Sequence, residues 1–273
     1  MPKVKVNDIE MNYEVRGEGE PIIFIHGSGA SWKMWKPQIE QFSKKYKMIM
    51  IDMRGHGESS RHFPNDEYSM KLIAQDLKLF LDVIGIDKTH IVGLSQGSVI
   101  AQLFAIKHSS YINRLVLSNG YSEIPTRTSK WVLNISNAIM KLIPYDIIIK
   151  LMLKVYKDDE FTKKVLRDSF SIDKEMLLKI KTSEFPTHTD ELYNITCPTL
   201  VMGGDMNIMG VDERKASETI YEHIPNATLA LFKNAFDPLS TMKWEIFNDM
   251  ILDFLEGKPI KQYEEVRLTE KKK

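Results

Sequence analysis

Short apolar runs and longer stretches with helical spacing alternate along the first 120 residues. Continuous apolar runs at 22–25, 46–51 and 90–94 predict buried strands, because a strand that is covered on both faces has no polar side. Residues 69–84 carry apolar side chains three and four positions apart, and 96–108 follow a strand, so both stretches predict helices. The repeated strand–helix–strand order predicts a parallel sheet with helices on both faces.

The apolar spacing becomes purely helical between residues 121 and 190. Pro125, Pro144 and Pro186 punctuate this stretch, and no strand-like run interrupts it. Trp131 and many isoleucines and leucines lie at helical spacing within it. The pattern predicts a helical insertion that caps the sheet.

The strand pattern resumes after Pro198. Apolar runs at 199–202 and 228–232 predict two more strands, each followed by a stretch of helical spacing. The predicted organisation is a core formed by residues 1–120 and 191–260, a helical cap at 121–190 and a charged C-terminal tail at 261–273.

Composition narrows the class of protein. Lysine plus arginine and aspartate plus glutamate both count 37 in 273 residues, so no net charge attracts nucleic acid. No apolar run reaches the length of a membrane span, the first 20 residues lack a signal-peptide core, and Cys197 is the single cysteine. We expect a cytoplasmic protein with no membrane span. There is no phosphate-binding glycine loop and no clustered His/Cys spacing, so we expect no cofactor and no metal.

The motif Gly93-Leu94-Ser95-Gln96-Gly97 joins an apolar strand to a predicted helix. A serine that must project above a sheet needs a strained turn, and glycines on either side remove the Cβ atoms that would collide. The N-terminus of the following helix stabilises negative charge near the serine. Ser95 is therefore the candidate nucleophile. The plainer alternative is a glycine-rich turn with an incidental serine.

With this motif, the chain resembles the α/β-hydrolase family over almost its whole length. The resemblance implies a doubly wound, mostly parallel sheet of about eight strands with a helical cap. His26-Gly27-Ser28-Gly29 resembles the family's oxyanion loop, which implies that the backbone N–H groups of Ser28 and Gln96 form the oxyanion hole. His26 and His56 then belong to loops where the family's histidines are structural.

Two positions depart from the family pattern. The family places its acid after the strand at 199–202, and counting from Gly204 puts Asn207 there, with Asp205 two residues earlier. The family's histidine follows the last strand, where this chain has Phe236 or Asp237, depending on the alignment frame. No histidine occurs after His223.

Three explanations of this departure stay open. In the first, the chain is a serine hydrolase for carboxylic esters or related acyl substrates, impaired because both activating residues were replaced. In the second, it is a non-catalytic protein that binds a small apolar ligand under the cap. In the third, Asp237 acts as the base, with Asp205 or Glu123 nearby. We rank the third lowest, because a carboxylate with a pKa near 4 is a weak base unless it is strongly desolvated.

Overall fold

The computed structural model describes residues 2–123, 135, 137–208 and 211–271. Nine strands form its main sheet, in the order β1-β2-β4-β3-β5-β6-β7-β10-β11, and two short strands form a separate hairpin. The strands are β1 (Lys3–Val6), β2 (Ile9–Arg16), β3 (Glu20–Ile25), β4 (Tyr46–Ile51), β5 (Thr89–Leu94), β6 (Ile112–Ser118), β7 (Thr199–Gly204), β8 (Asn207–Ile208), β9 (Val211–Asp212), β10 (Ala227–Phe232) and β11 (Val266–Glu270).

Six consecutive strands, from β4 to β10 in the sheet order, run parallel. The β1–β2 hairpin adds an antiparallel edge on one side. The predicted α/β-hydrolase fold with a mostly parallel sheet is therefore confirmed. Because the carboxyl ends of parallel strands meet at one edge, the loops after β3, β5, β6, β7 and β10 lie together there.

Helices cover both faces of the sheet, and alternate strand residues point to opposite faces. The helices are α1 (Lys36–Phe42), α2 (Met70–Val83), α3 (Gln96–His108), α4 (Tyr145–Lys154), α5 (Glu160–Ser169), α6 (Lys174–Thr182), α7 (Glu213–His223), α8 (Leu239–Met242) and α9 (Trp244–Leu255). In β3, Ile23 and Ile25 join the core beneath α2 and α3, whereas Ile22 and Phe24 join the core beneath α1 and α9.

Within the segment 121–190, the structure describes helical residues 137–142 and the helices α4 to α6. Trp131 lies outside the described residues. The segment packs on the loop after β3: Ser31 Oγ donates to the carbonyl of Ser169 over 2.9 Å, and Ser171 Oγ donates to that of Ala30 over 2.6 Å. These contacts place the helices above the carboxyl edge of the sheet.

The prediction of a charged tail at 261–273 is wrong for its central part. Residues Val266–Glu270 form β11, which pairs antiparallel with β10 from Phe232↔Val266 to Thr228↔Glu270. The sequence alternates apolar and charged residues here, and Val266 and Leu268 pack on the core. An edge strand needs only one apolar face, so the mean hydropathy of this segment is low and the sequence pattern does not predict a strand here. This strand brings the sheet to nine.

Candidate functional site

Ser95 lies on a sharp turn between β5 and α3. Its backbone has φ 54° and ψ −118°, an unfavourable conformation for a residue with a side chain. A Cβ on Gly93 would lie 2.5 Å from the carbonyl oxygen of Gly97, and one on Gly97 would lie 2.2 Å from that of Ile25. Only glycine fits at both positions. The turn leaves the Ser95 side chain half-buried.

The Asp237 carboxyl and the Tyr121 hydroxyl both lie beside the Ser95 hydroxyl. Burial raises the pKa of Asp237, and its interaction with Ser95 lowers it by a smaller amount. Burial likewise raises the pKa of Tyr121 well above its usual value, again opposed by Ser95. No hydrogen bond of normal geometry joins Ser95 Oγ to either group among the described residues, so these groups are near neighbours and not bonded partners.

Glu213, in the first turn of α7, connects the loops around Ser95. Its Oε1 accepts from the backbone N–H of Asp237 over 2.9 Å, and its Oε2 accepts from Asn119 Nδ2 over 2.8 Å. Asn119 Oδ1 in turn accepts from the N–H of Leu239 over 3.3 Å and from Ser118 Oγ over 2.8 Å. The buried Glu213 carboxyl thus ties together the ends of β6 and β10.

Asp237 and Glu213 form a pair of carboxyl groups with raised pKa values. Burial raises the pKa of Asp237 to about 6. Burial, and then the negative charge of Asp237, raise the pKa of Glu213 to about 7, although its N–H donors oppose the shift. Like charges at close range resist simultaneous ionisation, so the two groups titrate as a pair. The site therefore holds a carboxyl group that changes charge near neutral pH.

Phe236 and Asp237, the two candidates for the histidine position, point in different directions. Phe236 is 6% exposed, and its ring stacks on Tyr156 with centroids 5.3 Å apart and planes 19° apart. The Tyr156 hydroxyl donates to the backbone carbonyl of Asp237 over 2.9 Å. Phe236 is thus packed on an aromatic ring, whereas the Asp237 side chain is the one beside Ser95.

Lys181 lies near the end of α6. Burial lowers the pKa of its ammonium, and the negative charge of Asp237 opposes that shift. Asn137 Nδ2 donates to its backbone carbonyl over 2.7 Å and fixes the last turn of the helix. The charges of Lys181 and Asp237 therefore act on each other.

The two predicted acid positions, Asp205 and Asn207, lie just after β7. Asp205 is exposed, and its Oδ1 accepts from the backbone N–H of Asn234 over 2.7 Å, which braces a turn. The backbone of Asn207 pairs with Asp212 in the β8–β9 hairpin. The side chain of Asn207 lies outside the described part of the structure. Glu123 is half-buried and makes no hydrogen bond to Ser95.

The candidate oxyanion donors flank Ser95. A Cβ on Gly27 would lie 3.3 Å from Ser95 Cβ, so the loop that carries Ser28 passes close to the serine. Gln96 begins α3, and no acceptor in the described structure takes the backbone N–H of Ser28 or Gln96. Within the described residues, both N–H groups are thus without a backbone acceptor.

His26 and His56 are fully buried near the turn that carries Ser95, with ring centroids 5.0 Å apart. His26 Nδ1 donates to the carbonyl of Gly27 over 2.8 Å, and its Nε2 accepts from the N–H of Met53 over 3.1 Å. Burial lowers the pKa of His26 to about 4 and that of His56 to about 3. Both rings are therefore neutral near pH 7.

Neither a metal cluster nor a membrane helix occurs in the part of the chain that the structure describes. No three His, Cys, Asp or Glu side chains are grouped there as metal ligands require. No helix within these ranges combines the length and the apolar composition needed to cross a bilayer.

The turn at Ser95, the parallel sheet and the overlying helices agree with one fold. The sequence profile of the α/β hydrolase fold matches residues 20–145. The chain has the α/β-hydrolase fold. It is similar to a solved enol-lactonase from Burkholderia xenovorans, with a TM-score of 0.82 and 22% identity over 93% of this chain and 100% of that one, which shows the shared fold.

Curated α/β-hydrolase relatives differ in how much they share. The chain is 27% identical over 272 residues to 2-hydroxy-6-oxononadienedioate/2-hydroxy-6-oxononatrienedioate hydrolase 2 of Pseudomonas putida, covering 91% of this chain and 92% of that protein. It is 29% identical over 119 residues to mouse epoxide hydrolase 4. That match covers 43% of this chain, and the chain spans about a third of the relative's length (33%).

Sequence reasoning missed three residues of the site. Glu213 follows Asp212 at a helix start, where acidic residues are common, so nothing marked it as buried. Tyr121 and Tyr156 lie in or beside the helical segment, in patterns that equally fit a surface helix. Their proximity to Ser95 depends on how that segment folds over the sheet.

Proposed function

We propose that this chain hydrolyses carboxylic esters, with Ser95 as the nucleophile and Asp237 as the base that replaces the family's histidine. The observation that carries the proposal is the Asp237 carboxyl beside the Ser95 hydroxyl, with its pKa raised by burial to about 6. A base is most effective when its pKa lies near the working pH. The raised value weakens the objection that a carboxylate is too weak a base.

The proposed reaction has two halves. The Ser95 hydroxyl gives its proton to the Asp237 carboxylate as its oxygen attacks the ester carbonyl, and the oxyanion accepts from the N–H groups of Ser28 and Gln96. The intermediate collapses to an acyl-serine, and the departing alcohol takes the proton from Asp237. Water then gives a proton to Asp237, attacks the acyl group and releases the acid, and Ser95 recovers its proton.

Glu213 supports Asp237 in two ways under this proposal. Its hydrogen bond to the Asp237 N–H fixes the loop that carries the base. The two carboxyl groups also resist simultaneous ionisation, so the pair retains a proton near neutral pH. An acid at the position of Asn207 is then unnecessary, because its role in the family is to stabilise an imidazolium, and a carboxylate base forms none.

The second candidate is a non-catalytic binding protein that uses the same site. One observation favours it: Ser95 Oγ makes no hydrogen bond of normal geometry to Asp237 among the described residues. Catalytic hydrogen bonds are often long without substrate and tighten when it binds, so this geometry does not exclude turnover. The relatives named as hydrolases support the catalytic alternative.

The two candidates differ in their response to an activated ester. With 4-nitrophenyl butyrate we expect a burst of nitrophenol and a protein mass increased by one butyryl group on Ser95. Ser95→Ala abolishes both, and Asp237→Asn slows the burst by about 10²–10⁴-fold, the usual worth of a general base. Asp205→Asn is the matched control, since that carboxyl is exposed and braces a turn, and it leaves the rate unchanged. Absence of acylation in the unaltered protein would refute the proposal and favour the binder.

A further inference from the structure

The helical residues 137–142 turn a polar side chain toward the protein and apolar side chains toward solvent. Asn137 is buried, and its Nδ2 donates to the backbone carbonyl of Lys181 over 2.7 Å. Leu142 is 86% exposed and Ile139 is 51% exposed. The exposed apolar positions of this stretch are Ile135, Ala138, Ile139 and Leu142. Their spacing of three and four residues places them on one side of the helix, which a globular protein normally buries.

Helix α4 extends this exposed apolar surface. Only residues 143 and 144 separate it from the helical stretch before it. One side of α4 is attached to the core through Ile148 and Leu153, which are buried. The other side leaves Ile147 and Leu151 exposed, one turn apart. We call these six exposed side chains the outer apolar face: Ile135, Ala138, Ile139, Leu142, Ile147 and Leu151. Exposed apolar surface of this kind marks an interaction site.

The charges around the outer apolar face are mostly positive. Residues 124–157 contain six lysine or arginine residues but a single acidic residue, Asp146, in a chain whose formal net charge is zero. Lys150 and Lys154 lie one turn apart on the exposed side of α4, where the apolar pair also lies. A lysine can lay its methylene groups along an apolar surface and keep its ammonium in water. Apolar side chains with lysines beside them are typical of helices that lie in the interface of an anionic membrane.

We propose that the outer apolar face and its lysines bind the surface of an anionic lipid bilayer. The apolar side chains enter the boundary between headgroups and acyl chains, and the lysines contact the lipid phosphates. A second copy of this chain fits the face less well, because a symmetric contact would bring two positively charged surfaces together. An anionic bilayer neutralises the same charges. This binding does not depend on the proposed ester hydrolysis.

Vesicle flotation with the full chain tests the proposal. We expect the protein to bind vesicles of phosphatidylcholine and phosphatidylglycerol at about 0.1 M salt. Binding to vesicles of phosphatidylcholine alone should be at least tenfold weaker. Raising the salt to about 1 M should weaken binding to the mixed vesicles, because it screens the lysines.

Two double variants separate the apolar and the charged contributions. Ile139→Gln with Leu142→Gln should weaken binding to the mixed vesicles at least tenfold, because both side chains lose their burial in lipid. Lys150→Gln with Lys154→Gln should weaken it about tenfold and should have little effect on the residual binding to phosphatidylcholine alone. Circular dichroism and thermal unfolding of each variant verify that it is folded.

Matched controls come from exposed residues elsewhere in the chain. Val83, at the end of α2, is 56% exposed, and Val83→Gln should leave binding unchanged. Lys44, just after α1, is exposed beside Glu40, and Lys44→Gln should also leave it unchanged. Both controls change the same chemistry as the double variants at sites outside the outer apolar face.

A fluorescent label locates the contact. The native Cys197 is buried, so acrylodan on Ala138→Cys reports the outer apolar face. Its emission should shift to the blue when mixed vesicles are added. The same label on Val83→Cys should not shift.

The outcomes decide between lipid and protein as the partner. If the unaltered chain does not bind the mixed vesicles, or if Ile139→Gln with Leu142→Gln binds them equally well, the inference is wrong. Equal binding to neutral and anionic vesicles would also contradict it. Sedimentation velocity may show a dimer that the same double variant dissociates; with no vesicle binding, this result would assign the outer apolar face to a second copy and overturn the proposal.

Discussion

The backbone N–H of Asp237 donates to Glu213 Oε1 over 2.9 Å, and this bond brings two buried carboxyl groups together beside Ser95. Their proximity raises the pKa of Glu213, and burial raises the pKa of both groups. Under the proposed function, a group that titrates near neutral pH takes the place of the family's histidine next to the serine. The proposed activation of Ser95 depends on this pair.

The carboxyl pair should make the protein less stable as the pH rises. Both pKa values are higher in the folded state than in the unfolded chain, so the stabilisation is fully present below about pH 4 and is lost as the pH rises through 6 to 7. Asp237→Asn removes one charge, and we expect it to raise the free energy of unfolding at pH 8 by about 1–3 kcal/mol. Urea unfolding at pH 5 and pH 8 measures the difference.

The control for this prediction is the exposed carboxyl of Asp205. Asp205→Asn should change the stability at pH 5 and pH 8 by equal amounts, because this carboxyl is exposed to water. Equal effects of Asp237→Asn at both pH values would contradict the proposed desolvated pair.

The turn between β5 and α3 should tolerate no side chain at Gly97. Gly97→Ala would place a Cβ 2.2 Å from the carbonyl oxygen of Ile25, and the strand cannot move away from its neighbours. We expect a loss of about 3 kcal/mol or more of stability, measured by thermal unfolding. Gly85→Ala is the control: its φ is +70°, but nothing lies within 4 Å, so we expect a loss of about 1–2 kcal/mol from the backbone conformation alone. Equal losses of stability in Gly97→Ala and Gly85→Ala would argue against close packing at the turn between β5 and α3.

Restoring the family's residues distinguishes the two alignment frames. Because Asp237 lies beside Ser95 and Phe236 stacks on Tyr156, we expect Asn207→Asp with Asp237→His to raise ester hydrolysis by at least tenfold. Asn207→Asp with Phe236→His should give no gain and should lower stability, because it removes a buried aromatic contact. Rates with 4-nitrophenyl butyrate and thermal unfolding of both double variants decide the matter. A gain from the Phe236 variant alone would show that this assignment of the frame is wrong.

The sequence predicts much of the fold because its buried strands are unusually clear. The run at 46–51 coincides with β4, and the Gly93–Gly97 motif lies at the turn between β5 and α3. The strand β11 escapes prediction because an edge strand with one apolar face resembles a charged tail. Local patterning is thus sufficient for central strands and insufficient for edges.

The site is less predictable than the fold, for a physical reason. Ser95 follows from local sequence, because the glycines of its turn are required within two residues of it. Glu213, Asn119 and Asp237 come from loops after three different strands, and their hydrogen bonds depend on how these loops meet. Whether Phe236 or Asp237 faces the serine depends on one residue of register in a loop, which spacing alone does not determine.

The most direct test of Asp237 as the base is the pH dependence of the single-turnover acylation rate. If the Asp237 carboxylate accepts the proton of Ser95, the rate rises with pH through an apparent pKa near 6 and then levels off. In Asp237→Asn, the rate should fall by about 10²–10⁴-fold and lose this step, leaving only the slow increase due to hydroxide. An unchanged rate and an unchanged profile in Asp237→Asn would contradict the proposed role of this carboxylate.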